Sequence, residues 1–349
     1  MNKKICLIYT GGTIGMIRNT GGVLHPPDSP DDFLKIASNL SIISDYDFVA
    51  LFNKDSSNMI PADWTAMANA VHTRLDQNYA GFVIAHGTDT LHYSSSALAF
   101  ALGNQLNVPV VFTGSQTIPD VAHGDARTNL LRAALVAQSQ LAEVVISFNH
   151  SVYRGCRVIK TDERCFDAFT SPGSGAIGDI AEQVKLSPNA KLRSSKTKSE
   201  IDFRPLFTEG ILHVSAIPGF NPQLLLPILD STQCKGIIVQ SFGAGNLPNA
   251  DIYSWSEVIR YATKQFIPLV ISSPFTANST LDSVYSPGIS AIESGAIAVG
   301  NMTQATIMVK FSWVLAQVEQ AIADGSLAQA DSLKRVAEQL QFNYVDEMD

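Results

Sequence analysis

Apolar residues in this chain fall in short blocks separated by polar, glycine-rich breaks, and the blocks alternate between two periods. Continuous apolar runs at 4–9, 47–52, 81–85, 108–112 and 143–148 read as strands buried on both faces. Between them, 31–39, 62–78, 91–104 and 125–138 carry apolar residues at helical spacing; Trp64, Met67, Ala68 and Val71 share one face, and Pro61 suits a first helical turn. Such alternation predicts βαβ units with right-handed crossovers and a parallel sheet. Residues 148–180 break the rhythm and read as a short hairpin and a loop, and the polar, basic stretch that follows reads as an exposed linker. Strands then return near 211–216, 236–241, 267–272 and 296–299, with helices near 221–230, 253–264, 303–323 and 328–341. The expected fold is α/β: a larger N-terminal domain (1–185) with a mainly parallel sheet flanked by helices, a linker (186–210) and a smaller C-terminal α/β domain (211–349).

Composition narrows the class of function. Hydrophobic residues make up 46% of the 349 and charged residues only 16%, so the chain either buries a large interior or hides surface in subunit contacts, and a homodimer or homotetramer is expected. A net charge of −8 offers no basic stripe for a nucleic-acid backbone, so the expected partner is a small molecule and not a nucleic acid. Cys6, Cys156, Cys165 and Cys234 lack metal-type spacing and read as free thiols in a reducing compartment. No apolar stretch approaches the roughly 20 residues of a membrane span, and the N-terminus does not read as a signal peptide. A cytoplasmic enzyme without a membrane partner is the expectation.

Four polar clusters follow predicted strands of the first domain: Thr10–Gly15, Asp55–Met59, His86–Thr90 and Thr113–Gln116. On one edge of a parallel sheet they would converge on one crevice. The first cluster, Thr10-Gly-Gly-Thr-Ile-Gly15, is compatible with a reacting Thr13, with a dinucleotide turn of irregular spacing, or with a plain glycine turn. The set is rich in hydroxyls and lacks a phosphate-loop lysine, a G-x-S-x-G elbow or clustered metal ligands; His86 and His92 read as hydrogen-bonded structural histidines. What remains is hydroxyl chemistry with a base other than histidine. Lys160, in Arg157-Val-Ile-Lys160, is the best-placed base by chain order, set against its reading as a solvated surface lysine.

Taken together, these residues resemble the bacterial-type L-asparaginase family, specifically its cytoplasmic type I branch. The resemblance runs over nearly the whole chain and rests on Tyr9-Thr-Gly-Gly-Thr-Ile-Gly-Met16, Asp55-Ser-Ser-Asn-Met59, His86-Gly-Thr-Asp-Thr90, Thr113-Gly-Ser-Gln116, Tyr153-Arg-Gly-Cys-Arg157 with Lys160, Ala168-Phe-Thr-Ser-Pro172, Gly243-Ala-Gly-Asn246 and Gly300-Asn-Met-Thr303. It implies hydrolysis of L-asparagine to L-aspartate and ammonia through a β-aspartyl enzyme on Thr13, with water activated by Thr88. Lys160 and Asp89 would complete the proton relay with Thr88, and backbone N–H groups near the glycines would hold the oxyanion. Asp55, Ser56, Ser57 and Asp89 would grip the substrate, and Gly12 and Gly87 would also be substrate-binding. The resemblance implies neither a metal nor a cofactor.

The chain departs from the family in two places. Relatives usually carry a tyrosine in the loop after the first motif, where this chain has Val23, which cannot relay a proton. His25, two residues on, reads first as a plain loop histidine and second as a substitute proton carrier. Tyr285 aligns with a second-domain tyrosine that some relatives bring from a neighbouring subunit, and would supply the missing hydroxyl. An allosteric asparagine site of some relatives uses an Arg-Ser-Tyr run and a cysteine, here Gln240-Ser241-Phe242 and Phe275, so no cooperative activation is expected. Two alternatives accompany the main reading: a catalytically impaired amino-acid binder, motivated by Val23, and the amidase subunit of a tRNA-dependent amidotransferase. The acidic balance and the early first strand weigh against the second.

Overall fold

The computed structural model describes residues 3–18, 21–27, 29–194, 200–276 and 286–349, and the chain divides into two compact units, Met1–Pro205 and Leu206–Asp349. The architecture is two-domain α/β, a larger N-terminal unit with a mainly parallel sheet and a smaller C-terminal unit with a parallel sheet. Its first strand, Ile5–Gly11, is buried at every residue because it has strands on both edges and layers on both faces. It pairs in parallel with Tyr46–Lys54 on one side and Gly81–Ala85 on the other. Val110–Thr113 and Val144–Phe148 continue the parallel set beyond Gly81–Ala85. Tyr46–Lys54 is only partly buried along its length, as suits an edge strand.

The stretch read as a hairpin and loop does more than that. Ser151–Arg154 folds back antiparallel on Val144–Phe148, and Gly178–Ile180 and Val184–Leu186 add two further antiparallel strands, giving eight in the sheet. Strands of three or four residues are too short to show a period, which hides them in the sequence. A separate short hairpin, Ile159–Lys160 against Phe169–Thr170, carries Lys160. The helix expected over 62–78 stops at His72, and a single tight turn, Leu75–Gln77, leads to Asn78 in a left-handed conformation. Described residues of 186–210 make backbone hydrogen bonds to the first unit. Lys191 and Arg193 pair by backbone with Ala142 and Gln140, and Arg204 N donates to Ala101 O.

The core of the first unit gathers Ile5, Leu7, Tyr9, Val83, Val111 and Val145 from the strands with Phe33, Leu130, Ala133 and Ala134 from helices. The second unit has four parallel strands in the order Ile211–Ser215, Gly236–Gln240, Leu269–Ser272, Ile297–Ala298. Its long helix Gln304–Ala323 bears a fully buried Lys310, whose Nζ lies 2.6 Å from Glu347 and donates to Leu340 O and Phe342 O. Glu347 in turn accepts from the backbone N–H groups of Tyr344 and Val345, so both charges are hydrogen-bonded, the condition a buried ion pair must meet to persist. The helix Ser286–Glu293 has no counterpart in the sequence pattern. Among the described residues no helix is long and apolar enough to cross a membrane.

Candidate active site

The order of the parallel strands places the site. From Ile5–Gly11 the chain steps to Tyr46–Lys54 on one side, then crosses back to Gly81–Ala85 on the other and continues outward. Where strand order reverses, adjacent connections leave in opposite directions and open a crevice at the carboxyl ends of the two strands. The Thr10–Gly15 and His86–Thr90 turns emerge there.

Their backbones touch. A Cβ on Gly12, which sits at φ +88°, would lie 2.3 Å from the Gly87 nitrogen; one on Gly87 would lie 2.5 Å from Ser56 Oγ. Only glycine permits this packing of three turns. Thr90 Oγ1 donates to Ser56 O at 2.7 Å, and Thr10 Oγ1 to Ala85 O at 2.9 Å, which fixes the turns to one another and to the sheet.

A polar cavity of about 190 Å³ lies over these turns, lined by Gly12, Thr13, Asp55, Ser56, Gly87, Thr88, Asp89 and Lys160 together with Met16, Gln116 and Glu163. The first eight are candidates named from the sequence. Lys160 Nζ donates to Thr88 Oγ1 at 3.0 Å and to Asp89 Oδ1 at 2.7 Å, and its side chain is 16% exposed while that of Asp89 is 62% exposed. The Thr13 hydroxyl has no hydrogen-bond partner among the described residues and faces the cavity unencumbered.

Ser57 does not line the cavity. Its N–H and hydroxyl both donate to Asp55 Oδ1, at 2.9 and 2.7 Å, so it braces the carboxylate instead. Those bonds, the hydroxyl's first, hold the Asp55 carboxyl below the usual carboxylate range and leave Oδ2 without a hydrogen-bond partner among the described residues. Val23 is 63% exposed beside the short Leu24–His25 strand and is not a lining residue; His25 Nδ1 contacts Pro26 O. Tyr285 lies outside the described residues.

Sequence reasoning misses Met16, Gln116 and Glu163 as lining groups. Gln116 closes a strand-end cluster already noted, and Met16 ends the short turn that starts at Thr13. Glu163 follows Lys160 in a loop with no pattern to single it out. A larger cavity of about 520 Å³ in the second unit is lined mainly by apolar side chains such as Leu229, Leu315, Val318 and Val336 and gathers no comparable reacting set.

His86 is fully buried and bonded at both ring nitrogens: Nδ1 to Gly87 O at 2.7 Å and Nε2 to Ser94 Oγ at 3.0 Å. The carbonyl can only accept, so Nδ1 carries the proton and the serine donates to Nε2. Burial lowers the pKa of His86 to about 4 and that of His92 to about 4, the latter helped by the Lys160 charge. Between about pH 6.5 and 4 the unfolded chain therefore binds protons at these rings that the folded chain refuses. Stability falls as pH falls through that window, by up to about 1.4 kcal/mol per pH unit for each ring, and is flat for these groups above it. Urea unfolding between pH 7.5 and 4.5 is expected to show this slope, reduced in a His86→Gln variant; equal slopes would remove His86 from the account.

Comparison with known proteins gives three results. Residues 4–192 match the family described as asparaginase, N-terminal, and residues 211–323 match the glutaminase/asparaginase C-terminal domain. A glutamyl-tRNA(Gln) amidotransferase subunit of Methanobrevibacter smithii is 31% identical over 90% of this chain and 72% of its own length. The like-named subunit of Methanosphaera stadtmanae is 28% identical over 99% of this chain and 77% of its own. Among solved structures, the thermostable L-asparaginase from Thermococcus kodakarensis superposes with a TM-score of 0.86 at 26% identity, covering 99% of each chain.

The curated relatives overturn the expected function of a stand-alone hydrolase of L-asparagine, and with it the expectation of a small-molecule partner, no nucleic acid and only copies of itself. The crevice motifs specify amide cleavage and do not distinguish a free hydrolase from a subunit. The acidic net charge bears on this chain's own grip on phosphates, not on an assembly in which another chain supplies it.

Proposed function

Because the chain belongs to the asparaginase family, matched in both of its domains, we propose that this asparaginase-fold amidohydrolase is the amide-cleaving subunit of an amidotransferase acting on glutamyl-tRNA(Gln). The observation that carries the reading is the relay of Lys160, Thr88 and Asp89 beside an unengaged Thr13, in a chain whose curated relatives bear that subunit name.

In this reading the substrate is an amino acid with a side-chain carboxamide. Its α-ammonium group suits the open oxygen of Asp55 and the exposed carboxylate of Asp89, in a cavity lined by Asp55, Asp89, Glu163 and Lys160. Thr13 Oγ1 bonds to the amide carbon as its proton passes to Thr88, which hands its own proton to Lys160 in the neutral amine form. The oxyanion is held by backbone N–H groups at the Gly12 and Gly87 turns. Protonation of the nitrogen from the same relay releases ammonia and leaves an ester on Thr13. Water, deprotonated through Thr88, then attacks the ester, regenerating Thr13 and freeing the side chain as a carboxylate. Ammonia is the product an amidotransferase consumes. With a net charge of −8, this chain would leave most phosphate contacts to its partner subunit.

The test is recovery of the tagged chain from its native cells, followed by assay with L-glutamine, ATP and glutamyl-tRNA(Gln). Expected are a co-purifying protein, ammonia release, and conversion of the tRNA-bound glutamyl group to its amide, all product formation being absent in Thr13→Ala. Ammonia release with no tRNA-linked product from the recovered material would overturn the amidotransferase part of the reading.

A further inference from the structure

We propose that Gln116 is a positioning residue that sets the direction of the Thr88 hydroxyl and locks the loop after Lys160 against it. The inference rests on the amide-hydrolase reading above and assigns a role to a side chain outside the Thr13, Thr88, Asp89 and Lys160 set.

The Gln116 amide is held at both of its ends. Its Nε2 donates to two backbone carbonyls, Asp162 O and Cys165 O, each at 3.3 Å. Carbonyls only accept, so a flipped amide would set Oε1 against both of them. The orientation is thereby decided, and Oε1 faces Thr88 Oγ1 at 3.4 Å. On its other side Thr88 Oγ1 receives Lys160 Nζ at 3.0 Å. An ammonium has no lone pair, so while Lys160 is charged the Thr88 proton can point only to Gln116 or to the cavity. Gln116 thus gives that proton a resting place and leaves a Thr88 lone pair turned to the cavity. The 3.4 Å contact is long for an O–H···O bond, as relay contacts often are in a site without substrate.

Both ends of this lever are anchored. Gln116 N and Thr117 N donate to the two oxygens of buried Asp125, at 2.9 and 3.0 Å, and Asn129 Nδ2 bridges Asp125 Oδ2 and Gly114 O. At the far end, Asp162 Oδ1 accepts from Arg164 N and Cys165 N at 2.6 and 2.8 Å, which shapes the loop that presents the two carbonyls. Glu163, in that loop, lines the cavity. Gln116 therefore couples the Thr88 turn to the cavity's rim.

Two variants test this, with ammonia release from L-glutamine and L-asparagine as the assay. Gln116→Met keeps the length and removes every side-chain hydrogen bond while leaving the backbone bond to Asp125. It is expected to lower kcat about 30-fold, within the range of proton-handling contributions, with KM changed less than about threefold and the unfolding midpoint close to wild type. Gln116→Glu keeps the shape; its neutral carboxyl retains an acceptor and one donor, whereas its carboxylate cannot donate to Asp162 O and Cys165 O. Its kcat is expected to approach wild type at low pH and to fall as the carboxyl ionises, a limb the wild type lacks. Unchanged kcat in Gln116→Met, or a Gln116→Glu profile parallel to wild type, overturns the inference while leaving the amide-hydrolase reading intact. No ammonia from the wild type with either amide overturns both.

Discussion

Thr13→Ala is expected to reduce ammonia release by about 10⁴-fold or more while leaving the unfolding midpoint almost unchanged. Thr10, Thr90 and Thr113 each spend their hydroxyl on a backbone carbonyl, of Ala85, Ser56 and Ser147 respectively, and so hold the crevice together. Thr13 spends its hydroxyl on nothing among the described residues, although it lines the cavity. A hydroxyl kept unengaged beside a lysine relay contributes to reaction rather than to folding. Removing it costs the covalent step, because without the oxygen no ester forms, and residual turnover is limited to direct attack by water. Ammonia release and thermal unfolding measured on the same preparations check both halves. A Thr13→Ala variant retaining a tenth of the activity would assign the attacking oxygen elsewhere, and one that unfolds several degrees early would make Thr13 a structural residue.

How much of this was legible depended on element length and on what kind of residue carried the signal. The Ile5–Gly11 and Gly81–Ala85 strands are central and buried on both faces, so they are continuous apolar runs that any reading finds. The turns after them announce themselves because the Gly12 and Gly87 backbones meet, with the Ser56 side chain packed against Gly87, a packing only glycine at 12 and 87 allows. The antiparallel strands at Gly178–Ile180 and Val184–Leu186 are three residues each and carry no period. Glu163 reaches the cavity through the course of a loop, which no local pattern encodes.

The same distinction explains the functional correction. Crevice residues report the bond that is cleaved. What consumes the ammonia is decided by surfaces away from the crevice, and low charge density reads alike for a chain that covers itself with copies and one that covers itself with a different subunit.

Lys160 provides the sharper test of how the crevice moves protons. Among the described residues its Nζ is the one cation lining the cavity, against Asp55, Asp89 and Glu163. Lys160→Met is expected to lower kcat by about 10³-fold, within the span of general acid–base contributions, without raising KM. The loss falls on kcat because the removed group donates to Thr88, at 3.0 Å, while its other partner, Asp89, keeps its carboxylate to hold the substrate's ammonium beside Asp55. Three carboxylates left without a counter-charge would hold that ammonium at least as firmly, so a rise in KM would point to a binding role for the lysine. Stability should change little, since the Asp89 partner is 62% exposed and surface pairs of that kind contribute about 0–1 kcal/mol. Lys160→Arg then separates charge from proton transfer. A guanidinium keeps the positive charge near Asp89 and cannot be deprotonated under any assay condition. If the lysine acts by exchanging a proton with Thr88, arginine is as inactive as methionine; if it acts only by its field, arginine restores most of kcat. Equal loss in the two variants is the expected outcome, because the hydroxyl that Lys160 contacts is the one proposed to pass the proton on.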